Sequence, residues 1–159
     1  VNTGGPAAKA GVQPGDVIMV ANDAYTGTAV VGDIVAGMMK NKGVAAFVTD
    51  GLARDRGGIM AAGMPLFAAG INPASPAANG PGIVGAPVVV GGQHVSPGDI
   101  IVGDADGVVV VPLERAAVVL ERLLAIRKAE ATTIAQVEAG LTGTDRIRAL
   151  VAAARIIGP

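Results

Sequence analysis

The chain has 159 residues, of which 51% are hydrophobic and 2% aromatic, and its formal net charge is −1. A near-neutral charge without a basic run argues against direct nucleic-acid binding, and no apolar stretch approaches the roughly 18 residues that a membrane span needs. The absence of cysteine excludes disulfides and thiolate metal sites. We therefore expect a cytoplasmic protein with a single domain over residues 1–159 and an aliphatic core.

The first part of the chain alternates predicted strands and helices. In chain order we predict a strand over 17–21, a polar loop over 22–28, a helix over 34–42 and a strand over 44–49. Gly43 ends the helix after two lysines in its last turn. Asp50 and Gly51 form a turn signal that closes the second strand.

The remaining sequence is predicted to be mainly scaffold. In chain order we predict a helix over 57–63, a strand over 65–69, a loop over 72–82, strands over 84–90, 99–102 and 108–111, a turn over 104–107, and helices over 113–129 and 144–156. The heptapeptide at 12–18 recurs in similar form at 95–101. Each copy predicts a Pro-Gly turn that leads into a strand.

Two segments, Gly32-Asp33-Ile34-Val35 and 50–55, are predicted to meet at one end of the sheet. A helix of about nine residues descends roughly 13 Å, and a strand of about six residues climbs back roughly 20 Å. The strand over 44–49 therefore returns the chain to the level of Asp33 and brings Arg54 and Asp55 beside it. This is the carboxyl edge of parallel strands, where open α/β sheets usually bind ligands.

The residues at this edge are suited to a small keto acid and a divalent metal. A helix that begins at Asp33 leaves the amides of Ile34 and Val35 without intrahelical partners, so a substrate carboxylate can bind there. Arg54 can bind the same anion or an adjacent carbonyl oxygen with a forked geometry. Asp55 is a hard oxygen ligand for Mg²⁺ or Mn²⁺, which would polarise the carbonyl. Asp33 remains available as an acid or base.

Each motif also has an ordinary structural interpretation. Asp33 could be a plain N-cap, Asp50 and Gly51 a plain turn, and Arg54 with Asp55 an exposed ion pair of little energetic value. The joint placement of these motifs at one sheet edge favours the functional interpretation.

These segments resemble the RraA-like proteins, a family that includes the class II 4-hydroxy-4-methyl-2-oxoglutarate / 4-carboxy-4-hydroxy-2-oxoadipate aldolases. The resemblance rests on 31–36 (VGDIVA), 43–48 (GVAAFV), 49–55 (TDGLARD) and 97–112. It covers roughly two thirds of the chain. It implies an α/β fold of the swivelling β/β/α type and assembly as a homotrimer or as a dimer of trimers, with sites at subunit interfaces.

The resemblance also implies roles for the site residues. In the aldolases the amides of the Gly-Asp-x-x segment bind the pyruvoyl carboxylate, which corresponds to residues 32–35 here. The arginine that contacts the keto acid and the aspartate that binds the metal correspond to Arg54 and Asp55. The implied reaction is retro-aldol cleavage of a 4-hydroxy-2-oxo diacid to pyruvate and a second keto acid, with decarboxylation of oxaloacetate as a side activity.

The same family contains a non-enzymatic branch that inhibits ribonuclease E, and its best-known member lacks the metal-binding aspartate. Asp55 favours an enzyme, with a regulator of ribonuclease activity as the alternative. The chain begins at Val1, so we expect the family's N-terminal helical segment to be missing. In the aldolases an acidic residue of a neighbouring subunit supports the metal waters, and four residues could fill that role: Glu114, Glu121, Glu130 and Glu138.

Residues 80–85 and His94 are predicted to have structural roles. Residues 80–85 match a dinucleotide-binding loop letter by letter, but they contain proline and precede a predicted strand instead of a helix. His94 follows two glycines and a glutamine, and we predict that it lies in a polar turn.

Overall fold

The computed structural model describes residues 11–76 and 81–154. The chain clusters into two compact units, Val1–Glu114 and Arg115–Pro159. The strands and helices of the first unit are, in chain order, β1 Val17–Val20, β2 Ala29–Val31, α1 Asp33–Lys42, β3 Ala46–Thr49, β4 Leu52–Ala53, α2 Arg56–Ala62, β5 Leu66–Phe67, β6 Gly70–Ile71, β7 Val88–Val90, β8 Gln93–Val95, β9 Ile100–Asp104 and β10 Gly107–Val111. The second unit contains α3 Ala116–Glu138 and α4 Asp145–Ala153, and a 3-10 turn, Leu113–Arg115, precedes α3.

The first six strands alternate between two parallel sheets. One sheet has the order β1-β3-β5 and the other the order β2-β4-β6. Because α1 follows β2 and α2 follows β4, the chain repeats a unit of strand, strand and helix. The helix-and-strand content and this repeat are those of an α/β fold of the β/β/α type.

The core is aliphatic, as the composition predicts. Phe47 from β3 is its one aromatic member, and it belongs to a buried cluster that includes side chains from α1 and α2. The buried cluster consists of Val31, Ala36, Met39, Val44, Phe47, Ala53, Ile59 and Met64. Burying a side chain as large as Ile59 or Phe47 contributes about 1.5–3 kcal/mol.

Helix α1 begins and ends where local signals place it. Gly32 is the N-cap in an extended conformation (φ −130°, ψ −174°), and Asp33 in the first turn interacts favourably with the helix dipole. Gly43 is left-handed (φ 84°), and its amide donates to the carbonyl of Lys40 at 2.9 Å. The predicted helix over 34–42 and its stop at Gly43 are confirmed.

The sequence did not reveal β2, β4 or β6, and the strand predicted over 65–69 corresponds to β5 alone. The pairing of β4 with β2 and β6 involves only two or three residues on each strand. Runs this short show no clear alternation of apolar and polar residues, and their partners lie far away in the sequence. Among β1 to β6, strands that are consecutive in the chain belong to different sheets, and the sequence pattern does not show this alternation.

Two antiparallel hairpins complete the first unit. In β9 and β10, Gly107 pairs with Asp104, and the Asp106 amide donates to Asp104 Oδ1 at 2.8 Å, so the predicted turn over 104–107 is confirmed. The prediction for His94 was wrong: it lies in β8 and pairs with Val89 of β7. The turn between these strands is made by Gly91 and Gly92, whose positive φ values of 57° and 78° suit glycine.

The repeated heptapeptide forms the same turn twice. The amide of Gln13 donates to Asp16 Oδ2 at 2.7 Å, and the amide of Ser96 donates to Asp99 Oδ2 at 2.8 Å. The glycines at 15 and 98 have φ values of 93° and 95°. The first copy leads into β1 and the second into β9, as predicted.

The other predicted segments agree in part. The strand predicted over 84–90 is confined to β7, and residues 81–86 do not begin a helix, which argues against a dinucleotide loop; residue 80 lies outside the described residues. The helix predicted over 113–129 corresponds to α3, which extends to Glu138. None of the α3 side chains is buried. Thr144 caps α4 by accepting from the Ile147 amide at 3.4 Å, whereas residues 155–156 of that predicted helix lie outside the described part. Within the described ranges, no helix has the length and apolarity required to cross a membrane.

Candidate functional site

The pairing of β2 with β4 brings the two predicted segments together. Ala29 pairs with Leu52 and Val31 with Ala53 in parallel register, and the Arg54 amide donates to the Val31 carbonyl at 2.9 Å. Residues that follow parallel neighbouring strands lie at the same sheet edge. The predicted meeting place is therefore present, but the strand that leads to Arg54 is β4, in a different sheet from β3.

The backbone of Gly32 lies close to the side chains of Arg54 and Asp55. A Cβ atom at Gly32 would be 2.5 Å from Asp55 Oδ2, 2.9 Å from Arg54 Nε and 3.1 Å from Arg54 Cγ. At these distances a side chain at position 32 fits only if the side chains of Arg54 and Asp55 move. A glycine suits the N-cap of α1 because the side chains of Arg54 and Asp55 occupy the space next to it.

Asp55 has an unusual backbone conformation. It is left-handed (φ 56°, ψ 42°) at the N-cap of α2, and its carbonyl accepts from the Ile59 amide at 3.0 Å. Such a conformation costs a residue with a Cβ about 1–2 kcal/mol, less for aspartate than for most. Its carboxylate does not cap α2 but lies 3.1 Å from Arg54 Nε. Strained residues of this kind cluster at functional sites.

The Arg54 side chain is held from two sides. Its Nε pairs with Asp55, and its Nη1 donates to Ser75 Oγ. The two side chains of the ion pair are 32% and 42% exposed. At that exposure an ion pair contributes no more than about 1 kcal/mol. The ordinary interpretation as an ion pair is geometrically correct, and its main effect is to orient the guanidinium.

Asp33 is the first helical residue and not the N-cap. Its Oδ1 accepts from the Ile34 amide at 2.7 Å, and its side chain contacts Gly58 of α2. The first intrahelical bond runs from the Ala36 amide to the Gly32 carbonyl at 3.0 Å, so the Ile34 and Val35 amides both lack intrahelical partners. Of these two, the Ile34 amide is occupied by the Asp33 carboxylate itself.

Residues 72–75, which we call the strap, lie beside Arg54. The sequence predicted only a loop for these residues. The Asn72 amide donates to the Ala53 carbonyl, and the Ala29 amide donates to the Ala74 carbonyl, both at 2.9 Å. The Asn72 side chain donates to the Thr26 carbonyl at 2.9 Å and accepts from the Ala74 amide at 2.8 Å. An asparagine before proline signals a turn, and that signal alone could have indicated an ordered strap.

Asp50 and Gly51 have a structural role next to the site. Asp50 Oδ1 accepts from the Asn22 amide at 2.9 Å, which joins the loops that follow β1 and β3. A Cβ atom at Gly51 would be 2.7 Å from a methyl carbon of Val30. The pair forms the bend that links β3 to β4.

A metal at this site would depend on Asp55. Within residues 11–76 and 81–154, no group of three or more His, Asp or Glu side chains could hold an ion. A single carboxylate at 42% exposure suits Mg²⁺, which often takes one or two protein carboxylates and completes its shell with water and substrate. The four acidic candidates for a supporting role, all exposed, lie in the 3-10 turn (Glu114) and on α3 (Glu121, Glu130 and Glu138). Their role stays a prediction.

Comparison with known proteins identifies the family. A family model for RraA-like proteins, described as Aldolase/RraA, matches residues 6–110. The chain belongs to the RraA-like family.

Named relatives and solved structures agree with this assignment. A protein of Halalkalibacterium halodurans named "Putative 4-hydroxy-4-methyl-2-oxoglutarate aldolase" is 43% identical over 99 residues, which are 62% of this chain and 47% of that protein. An uncharacterized protein of Pseudomonas syringae pv. tomato has a TM-score of 0.74 at 32% identity, with 83% of this chain and 66% of that chain covered. The predicted α/β, RraA-like fold is confirmed.

A third relative is described by another activity. Streptomyces coelicolor RraAS2, described as an unusual member of the RNase ES inhibitor RraA protein family, has a TM-score of 0.74 at 32% identity, with 79% of this chain and 65% of that chain covered. The chain spans about half the length of the Halalkalibacterium relative and about two thirds of both solved structures.

Proposed function

We propose that this chain carries the active site of a divalent-metal-dependent aldolase. Its substrate would be a 4-hydroxy-2-oxo diacid of the 4-hydroxy-4-methyl-2-oxoglutarate or 4-carboxy-4-hydroxy-2-oxoadipate type, cleaved to pyruvate and a second keto acid. Oxaloacetate decarboxylation would be a side activity. The name of the Halalkalibacterium relative supports an aldolase, and hence a carbon-carbon lyase.

The observation that carries the proposal is the arrangement around Gly32. A helix tip, a guanidinium and a hard oxygen ligand surround a residue that has no side chain. All three would act together on one oxo acid. Helix-tip amides and the guanidinium bind its anionic oxygens, and the carboxylate of Asp55 holds a cation close to them.

Substrate carboxylate binding is assigned to Val35, Ile34 and Arg54. The Val35 amide is the helix-tip donor that Asp33 does not occupy, and the Ile34 amide joins it when Asp33 turns away. Arg54 supplies a charged, forked donor that matches a carboxylate in two hydrogen bonds. Gly32 contributes by leaving space for the side chains of Arg54 and Asp55 beside the helix tip.

The metal is assigned to Asp55, with Mg²⁺ or Mn²⁺ as the fitting ions. When bound, such an ion supplies a Lewis acid for the charge that develops on the C2 oxygen. Cleavage breaks the C3–C4 bond, removes the proton of the C4 hydroxyl and later returns a proton to C3. Asp33 is assigned to this proton transfer, directly or through a water, in the conformation in which it has left the Ile34 amide.

A pyruvate-coupled assay tests the proposal. We expect pyruvate release from one or more 4-hydroxy-2-oxo diacids and from oxaloacetate, stimulated by Mg²⁺ or Mn²⁺. Asp55→Ala should abolish the metal-stimulated release because it removes the cation ligand. Unchanged turnover in that variant would remove the catalytic assignment.

A second candidate is a regulator of ribonuclease activity, which the likeness to the Streptomyces RraAS2 protein supports. Such a regulator would act through its surface and would not need a metal. An inhibition assay with ribonuclease E in the presence of EDTA separates the candidates. Inhibition that persists under chelation, with no lyase activity on any oxo acid, would favour the regulator.

We also propose a homotrimer or a dimer of trimers as the assembly. None of the α3 side chains is buried, and its exposed apolar residues include Leu120, Leu124 and Ile134. A helix of this kind gains stability when another surface covers it. Native mass spectrometry of the full protein distinguishes three or six copies from a monomer or dimer.

A further inference from the structure

The contact between Arg54 and Ser75 is not explained by the stability of the fold. Ser75 lies 21 positions after Arg54 and outside every strand and helix, yet its Oγ accepts from Arg54 Nη1. Arg54 directly follows β4, at the sheet edge where the candidate site lies. The contact therefore fixes a functional side chain from a segment that carries no other part of the proposed site.

The strap is anchored firmly enough to act as a fixed support. Its first residue is bonded to the end of β4 and to the loop that precedes β2, through Ala53 and Thr26. Its third residue is bonded to the start of β2 through Ala29. Ser75 directly follows these anchors, so its backbone has a defined position relative to both strands, and its hydroxyl contacts Arg54 from there.

We infer that Ser75 is a positioning residue, which holds the Arg54 guanidinium in the direction required to bind the carboxylate of the oxo acid. This inference rests on the proposed function of the site. A guanidinium has five N–H donors, of which Asp55 engages one and Ser75 another. Three donors remain for an anion, which is enough for a two-pronged hydrogen bond.

The chemistry of a hydroxyl suits this role. A serine oxygen accepts an N–H without neutralising the positive charge, whereas a carboxylate in the same place would compete with the substrate. Asp55 holds the other side of the guanidinium, but it is also the proposed cation ligand. When Asp55 turns to a cation, Ser75 is the contact that keeps Arg54 in place.

Two isosteric variants test the inference. Ser75→Thr keeps a hydroxyl and Ser75→Val replaces it with a methyl group of the same size, so the pair differs in hydrogen bonding and not in bulk. We expect Ser75→Val to raise KM for the oxo acid by roughly tenfold with kcat within about threefold, and Ser75→Thr to stay within about threefold of the unchanged protein in both. Ser96→Ala is the control, since the contact of Ser96 with Asp99 is made by its backbone amide.

A second readout does not depend on activity. Phenylglyoxal modifies accessible arginines, and peptide mapping by mass spectrometry gives the rate at which Arg54 reacts. A released guanidinium is more accessible, so we expect Arg54 to react several-fold faster in Ser75→Val and at the original rate in Ser75→Thr and Ser96→Ala.

The outcomes separate this inference from the proposed function. If the unchanged protein releases no pyruvate, the aldolase proposal fails, and the labelling rates still decide the role of Ser75. Equal effects of Ser75→Thr and Ser75→Val on labelling would show that packing and not the hydroxyl matters, and would overturn the inference. Equal labelling of Arg54 in Ser75→Val and the unchanged protein would also overturn it.

Discussion

The carboxylate of Asp55 fills the space that a side chain at Gly32 would need. A Cβ atom at position 32 would lie 2.5 Å from Asp55 Oδ2, and the Arg54 side chain closes the other side at 2.9 Å and 3.1 Å. Two side chains that follow β4 thus pack against the backbone of a residue that follows β2. The site and the helix tip depend on each other at this point.

Gly32→Ala should damage the site more than the fold. The nearest atoms belong to the ends of flexible side chains, so Arg54 and Asp55 can move away at a cost of about 1 kcal/mol in unfolding free energy. Their displacement should lower kcat/KM for pyruvate release by roughly 100-fold. Urea denaturation and the coupled assay measure the two effects.

The matched control for this variant lies in the same helix. A Cβ atom at Gly37 meets nothing within 4 Å. Gly37→Ala should therefore keep kcat/KM and raise the unfolding free energy by about 0.5–1 kcal/mol. A similar loss of activity in both variants would contradict the importance of the contact at Gly32.

Gly58→Ala should destabilise the protein because it meets a part of Asp33 that cannot move easily. A Cβ atom there would lie 2.6 Å from Asp33 Cβ and 2.8 Å from Cγ. Helices α1 and α2 would have to separate, at a cost of about 1–3 kcal/mol in unfolding free energy. The adjacent Gly57 has nothing within 4 Å, so Gly57→Ala should be neutral or slightly stabilising in the same urea titration.

Asp55 variants should separate chemistry from backbone strain. Asp55→Asn keeps a residue type that tolerates the left-handed conformation, so its unfolding free energy should stay within about 1 kcal/mol of the original value. Asp55→Val should have an unfolding free energy about 1–2 kcal/mol lower than that of Asp55→Asn, because a β-branched residue is poorly accommodated in this conformation. Both should lose metal-stimulated pyruvate release. A higher melting temperature for Asp55→Val than for Asp55→Asn would contradict the conformational argument.

Arg54→Lys should show that the charge alone is insufficient. A lysine retains one positive charge but cannot engage Asp55, Ser75 and an anion through a planar fork. We expect kcat/KM to fall by roughly 100-fold with an almost unchanged melting temperature, since the ion pair is partly exposed. Steady-state kinetics beside a thermal melt checks both parts, and a lysine variant with full activity would exclude a forked contact.

Ile59 and Met60 are adjacent in α2 but differ in burial. Ile59 is 6% exposed and Met60 is 68% exposed. Ile59→Ala should lower the unfolding free energy by about 2–5 kcal/mol because it leaves a cavity. Met60→Ala should change the unfolding free energy by no more than about 0.5 kcal/mol. Urea midpoints measured for both variants test whether α2, which begins just after Asp55, is fixed by this single side chain.

The parts of the fold that were predicted correctly have strong local signals. Helix α1 has an apolar face, lysines in its last turn and Gly43 as a stop, and β1 and β3 are apolar runs bounded by turn residues. Strands β2 and β4 were missed because each is two or three residues long and is stabilised by a partner that is distant in sequence. The segment at 32–35 does meet Arg54 and Asp55, through Gly32, although the assumed path through one sheet was wrong.

Within the site, the sequence identified the residue types but not their contacts. Asp33 was expected to face a ligand, and in the structure it engages the Ile34 amide, a choice of side-chain rotamer that no sequence pattern encodes. Ser75 was missed for a different reason. Its link to Arg54 spans a loop whose only local signal is a turn, so the contact can be seen only after the strands are assembled.

The backbone of Asp55 has a consequence for how function can change in this family. Glycine and asparagine accept a left-handed conformation more readily than other residues, and each is one nucleotide change away from an aspartate codon. Either replacement deletes the negative charge while the loop keeps its path. The proposed aldolase activity would thus be lost in one mutational step, with an intact protein left on which selection for another task can act.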